Sequence, residues 1–266
     1  MIEMINEKNL IDDNMMFFVK SEIRLKILTE LSIKPQSIKE IVDKTHMAYS
    51  SVSNNLNKME HKHHVTKENR IYELTPMTQL YFNQLMEFKK SIDVVKNFDS
   101  LWDKHNLKYL NIDSINNITE LHESQLIETN PIDIYKTHNS IKRQLESCST
   151  IKGILPYIHP DYPKLIEKVL ENGGSVELII QKDVYRTMSS QIDTKLRQNS
   201  IKKGNLKIHI LNKNIDIYLL ICDKEMNLGL FKNDGSYDQN RILNSNTEES
   251  YNWADKLFKT IKRSVI

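Results

Sequence analysis

Residues 37–74 constrain this chain more than any other stretch, because their order of signals fits one small architecture. Ser37 and Glu40 have the spacing of a capping box at the start of a short helix, and a turn follows at 45–48. The next helix is expected over about 49–60, with Val52, Leu56 and Met59 as its buried stripe. Its opposite face carries Ser50, Ser51, Ser53, Asn54, Asn57 and Lys58. A hairpin pattern then runs over 64–67 and 71–74 around Asn69, with Lys67 and Arg70 near its tip. Helix, turn, helix and hairpin in that order make a winged helix-turn-helix.

The outward face of the second helix decides what such a unit does. A merely solvated helix is served by glutamate–lysine pairs. Hydroxyls and amides are poor helix formers, but they reach base edges when a helix lies in the major groove. Ser50, Ser51, Ser53, Asn54 and Asn57 are therefore assigned to bases, and Lys58, Lys62, Lys67 and Arg70 to phosphates of double-stranded DNA. With 37 basic against 35 acidic residues the net charge is only +2, so a DNA-binding surface must be local. His61, His63 and His64 are read as contacts beside DNA phosphate, with no metal assigned.

Ahead of this unit a single bracing helix is expected over 15–33, before Pro35. After it, Pro76 opens a helix in which Tyr81, Leu85, Phe88, Ile92 and Val95 alternate spacings of four and three. That seam can pack on its own domain or on a second copy, and two half-sites on DNA favour a homodimer. The segment to about 126 reads as short helices, with His105 and His122 as structural histidines. From Ile132 onward strands and helices alternate. Helices are expected at 136–147, 162–171, 183–199 and from 247, and strands at 151–155, 176–180, 206–211, 217–222 and 226–231.

The resulting layout is a DNA-binding domain (1–75), a linker or dimerisation helix (76–97) and an α/β domain with a mixed sheet (98–266). Ligands of open α/β sheets lie beyond the carboxyl ends of the strands, which here points to the loop 156–162. Cys148 and Cys222 have no metal-ligand spacing and read as buried free thiols. No apolar run is long enough for a membrane span, and the acidic residues Glu3, Glu7, Asp12 and Asp13 do not resemble a signal peptide, so a cytoplasmic protein is expected. With 6 glycines, no phosphate loop and no G-x-S-x-G turn, neither an enzyme nor a cofactor is expected.

Gly153-Ile154-Leu155-Pro156-Tyr157-Ile158-His159-Pro160-Asp161-Tyr162-Pro163 resembles the G-x-S-P-x-x-H-P-x-Y-P signature of archaeal regulators that join a winged helix to the middle domain of Fil-type methanogenesis regulators. The stretches Leu228-Gly229-Leu230-Phe231, Asp234-Gly235 and Tyr237-Asp238, the pair Trp102 and His105, and Trp253 with Leu257-Phe258 agree with it. Leu155 and Ala254 depart, standing where the family usually has a small polar residue and often glycine. The resemblance implies a dimeric DNA-binding transcriptional regulator of a methanogenic archaeon, with an α/β domain similar to a phospholipase-D-like half. Tyr157, His159, Asp161, Tyr162, Asp234, Tyr237 and Asp238 are the residues proposed for a small-molecule effector. Phosphodiesterases of that fold need a lysine two residues after the histidine, and none of His61, His105, His138, His159 and His209 has one. A scaffold whose winged helix contacts a partner protein is the alternative to the DNA reading.

Overall fold

The computed structural model describes residues 13–265, so most of the acidic start read against a signal peptide lies outside the described residues. It divides into two compact units, Met1–Lys89 and Lys90–Ile266.

The first unit contains α1 (Asp13–Val19), α2 (Glu22–Ile33), β1 (Gln36–Ser37), α3 (Ile38–Thr45), α4 (Tyr49–His61), β2 (Val65–Glu68) and β3 (Ile71–Leu74), and α5 (Pro76–Asn97) starts in it. Its three strands form a sheet of order β1-β3-β2. The capping box of α3 is formed in full, with Ser37 N donating to Glu40 Oε2 at 2.7 Å and Glu40 N to Ser37 Oγ at 3.3 Å. His46 ends α3 in the left-handed conformation (φ 54°) and turns the chain toward α4. Val52, Leu56 and Met59 are buried against Ile27, Leu28, Ile41 and Tyr72. In the wing, Asn69 (φ 48°) and Arg70 (φ 67°) are both left-handed, the requirement of a type I′ two-residue hairpin.

The single helix expected over 15–33 is two. Ser21 is extended (φ −142°) and its Oγ accepts from Arg24 N at 3.4 Å, so the serine starts a new helix instead of continuing the old one. His64 also departs from expectation: it does not face DNA phosphate but is buried, its ring stacked on Phe17 (5.2 Å) and tilted against Phe18 (4.7 Å), with Nδ1 3.3 Å from Thr78 Oγ1. Burial first, then Lys62 and His63, holds its imidazole below the ordinary histidine range. The unfolded chain therefore binds this proton more readily than the folded one. Stability is full above about pH 6.5 and is lost as pH falls from there through the lowered value. In denaturant titrations His64→Leu is expected to flatten the decline in midpoint between about pH 7 and 5. An unchanged decline would place the proton uptake elsewhere.

The second unit adds α6 (Asp99–Trp102), α7 (Ile112–Asn116), a 3₁₀ turn (Ile118–Leu121), β4 (Gln125–Glu128), α8 (Lys136–Ser147), β5 (Thr150–Leu155), α9 (Tyr162–Glu171), β6 (Ser175–Gln181), α10 (Lys182–Gln191), α11 (Thr194–Lys203), β7 (Leu206–Leu211), β8 (Ile217–Cys222), β9 (Glu225–Leu230), β10 (Arg241–Ser245) and α12 (Glu248–Val265). The sheet order is β4-β10-β9-β8-β5-β6-β7. Strands β5, β6 and β7 are parallel and the other neighbours antiparallel, which gives the mixed sheet expected. Strand β8 shows why both faces are covered. Ile217, Leu219 and Ile221 join Trp253, Leu257 and Phe258 of α12 in one core, while Tyr218, Leu220 and Cys222 join residues of α8, α9 and α10 in the other.

Three expectations are corrected here. The helix expected over 183–199 breaks at Ile192, and Asp193 caps α11 through Leu196 N at 2.8 Å. Strands β4 and β10 were not anticipated. Of the two free thiols only Cys222 is buried, Cys148 being half-buried. His105 is the structural histidine expected, buried with Nδ1 2.7 Å from Leu101 O and Nε2 3.0 Å from Asp238 Oδ2. Among the described residues no helix is long and apolar enough to cross a membrane.

Candidate functional site

The face of α4 opposite its buried stripe presents Ser50, Asn54, Asn57 and Lys58 exposed and Ser51 and Ser53 half-buried. Lys62, Lys67 and Arg70 are exposed beside it. Lys67 Nζ sits 5.2 Å above the ring of Tyr72, its partner across the hairpin one pair from the turn, which holds the ammonium near the tip of the wing. A groove of about 350 Å³ runs where the starts of α3 and α4 meet the wing, lined by Ser37, Lys39, Tyr49, Lys67, Arg70 and Tyr72. Lys39 and Tyr49 are additions to the sequence-assigned set. Tyr49 is 61% exposed at the first position of α4, a feature that an apolar-stripe reading passes over.

The seam of α5 divides. Tyr81 and Leu85 pack on the winged-helix core, whereas Phe88, Ile92 and Val95 are exposed at spacings of four and three.

In the α/β domain the effector candidates separate into two groups. Tyr157, His159, Tyr162 and Tyr237 line one cavity of about 140 Å³ together with Tyr135, His138, Ile141 and Gln239. Asp161 joins that cluster through its carboxylate, whose Oδ2 accepts from His138 Nε2 at 3.2 Å and Lys142 Nζ at 3.1 Å. Lys142 and His138 hold Asp161 below the usual carboxylate range, so it is ionised at neutral pH. Burial, His138 and Lys142 lower His159, outweighing the opposing pull of Asp161. Behind them Tyr157, Tyr218 and Tyr237 pack ring on ring with centroids 4.7–5.9 Å apart, and Tyr162 Oη lies 3.3 Å from Tyr218 Oη. Burial raises all four phenols, which stay neutral and act as hydrogen-bonding groups.

Asp234 and Asp238 are not among the residues lining the cavity. Asp234 Oδ1 accepts from Ser236 N at 2.8 Å in the turn at Gly235 (φ 85°), and Asp238 is buried on His105. Both hold the β9–β10 connection in shape. Gly229 belongs to the same arrangement, because a Cβ there would lie 2.5 Å from Tyr237 Oη. Leu155, which departs from the family signature, is a core residue, 1% exposed. His138 and Lys142 were missed, although their spacing of four on one helix puts them on one face.

The chain thus joins a winged helix with a hydroxyl and amide face to an α/β domain, helices on both faces of its sheet, that carries a polar cavity. The domain descriptions "Methanogenesis regulatory protein FilR1, N-terminal domain" and "middle domain" match residues 12–94 and 134–264, and the chain belongs to this FilR1-type family. The methanogenesis regulatory protein FilR1 of Methanothrix harundinacea (strain 6Ac) is 19% identical over 245 residues, 91% of this chain and 55% of its own length. The chain thus spans about half the length of that relative. Among solved structures, TrmBL2, described as an archaeal chromatin protein with a novel mode of DNA binding, is similar at TM-score 0.41 and 16% identity over 91% of this chain and 92% of its own. Nuc of Salmonella typhimurium, a phospholipase D family member, is similar at TM-score 0.37 and 12% identity over 52% and 92%. Likenesses that distant carry no argument about function.

Proposed function

We propose that this protein is a sequence-specific DNA-binding transcriptional regulator of a methanogenic archaeon, acting in the cytoplasm as a homodimer whose α/β domain takes an effector in the tyrosine–histidine cavity. The observation that carries the DNA reading is the pairing of an exposed serine and asparagine face on α4 with cations on the adjoining wing. The exposed Phe88, Ile92 and Val95 of α5 supply the dimer seam, a shorter one than the five positions read from the sequence. The cavity at the β5–α9 loop lies where open α/β sheets take ligands. The family membership agrees with a regulator rather than an enzyme.

The test is fluorescence anisotropy with DNA from upstream of the protein's own gene, across a salt series and with unrelated DNA as competitor. Competitor-resistant binding by two chains per site is expected. Lys58→Ala with Arg70→Ala, which removes about four phosphate contacts from a dimer, should weaken it and flatten the plot of log affinity against log salt by about 3.6 units, since each phosphate contact contributes about 0.9. Binding that is salt-insensitive, or no stronger than to a genomic fragment pool, would reject the DNA reading.

A further inference from the structure

We infer that His138, His159 and Asp161 form a binding site for one divalent transition-metal ion. The side chains come from two segments, His138 from α8 and both His159 and Asp161 from the end of the β5–α9 loop, yet one ligand atom from each lies within 4.8 Å of the others. Asp161 gives the cluster its direction. An aspartate at an N-cap ordinarily accepts from its own helix, but Asp161 makes no side-chain cap bond and turns its carboxylate to His138. Two imidazoles and one carboxylate are the donor set of open metal sites, in which three protein ligands leave a position for water or another molecule. Here the open side is the cavity of about 140 Å³. Imidazole nitrogens select zinc, nickel, cobalt or iron over magnesium and calcium, which take all-oxygen shells.

Three changes accompany binding. The rings of His138 and His159, stacked with centroids 3.5 Å apart, fan so that their lone pairs converge. Lys142, which holds Asp161 Oδ2 at 3.1 Å, is 40% exposed and moves out to water. The His138 proton directed at Asp161 shifts to the other ring nitrogen, since only a deprotonated nitrogen ligates. In this arrangement Lys142 competes with the ion for one carboxylate.

The inference rests on the effector reading of the cavity and names the ligand class. The untagged chain is dialysed against Zn²⁺, Ni²⁺ or Co²⁺, with Co²⁺ followed by its visible absorption. One ion per chain is expected, with affinity falling by about tenfold or more in His138→Ala, His159→Ala and Asp161→Asn, a loss at least as large as that from removing an outer-shell partner. His61→Ala with His63→Ala should change nothing. Lys142→Ala should tighten binding several-fold, a gain that a purely structural ion-pair cluster does not produce. Absence of stoichiometric binding, binding indifferent to the three ligand variants, or weakening in Lys142→Ala would overturn the site. Metal binding that leaves operator affinity unchanged would keep the site and overturn its regulatory role. No metal binding, but a thermal shift with an organic ligand lost in Tyr157→Phe, would overturn the metal and keep the effector reading.

Discussion

Replacing Asn54 and Asn57 together by alanine, which removes four carboxamides from the dimer, is expected to lower affinity for the operator by about 10³-fold or more while leaving binding to unrelated DNA nearly unchanged. Each carboxamide pairing with a base edge is worth roughly 1–3 kcal/mol of discrimination, and each factor of ten is about 1.4 kcal/mol. Both residues are exposed on α4, away from Val52, Leu56 and Met59, so truncation leaves no buried gap. Alanine is also the better helix former, so α4 should not lose stability. Lys58, Lys62, Lys67 and Arg70 remain to hold phosphates, which is why nonspecific affinity survives. Anisotropy against operator and scrambled duplexes checks it. An equal loss on both would mean that this face holds the backbone and does not read sequence.

Gly174→Ala is expected to destabilise the α/β domain by about 3 kcal/mol or more, and its neighbour Gly173→Ala by only about 1 kcal/mol. Helix α9 ends in a Schellman motif, with Gly174 N donating to Val169 O at 2.9 Å and Gly173 N to Leu170 O at 3.1 Å. Gly173 takes the left-handed position (φ 79°) with open space around it, so a methyl there meets only backbone preference. At Gly174 a Cβ would lie 2.3 Å from Ser149 O and 2.9 Å from Val169 O. Neither oxygen can rotate away. Ser149 immediately precedes β5 and Gly174 immediately precedes β6, so relief would have to part the start of the parallel pair. Thermal unfolding of the two variants side by side measures the contrast, and a larger loss in Gly173→Ala would contradict the close approach.

The winged helix was legible in the sequence because its signals are local. A capping serine and its glutamate are three residues apart, the stripe of α4 spans two turns, and Asn69 marks a turn that needs left-handed backbone. The single helix expected over 15–33 failed for a local reason too, since apolar spacing outweighed Ser21, which caps a helix better than it continues one. Asp193 misled in the same way within α10 and α11. The α/β cavity was only half legible. Its loop residues share one stretch, but His138 and Lys142 come from α8, and nothing between them and Asp161 announces the meeting. Asp238 pairs with a histidine 133 residues away, a partnership invisible to spacing, and so a buried structural carboxylate was read as a ligand group.

Strand β8 supplies successive side chains to the two cores on opposite faces of the sheet, and all six of its residues are buried. Neither layer of helices can therefore detach without stripping one side of a strand that the other layer also needs, and the domain melts as one cooperative body. A molecule held at the β5–α9 loop thus stabilises distant strands as much as the loop itself, by an amount fixed by its concentration relative to its dissociation constant. A single melting curve reads the occupancy of the cavity.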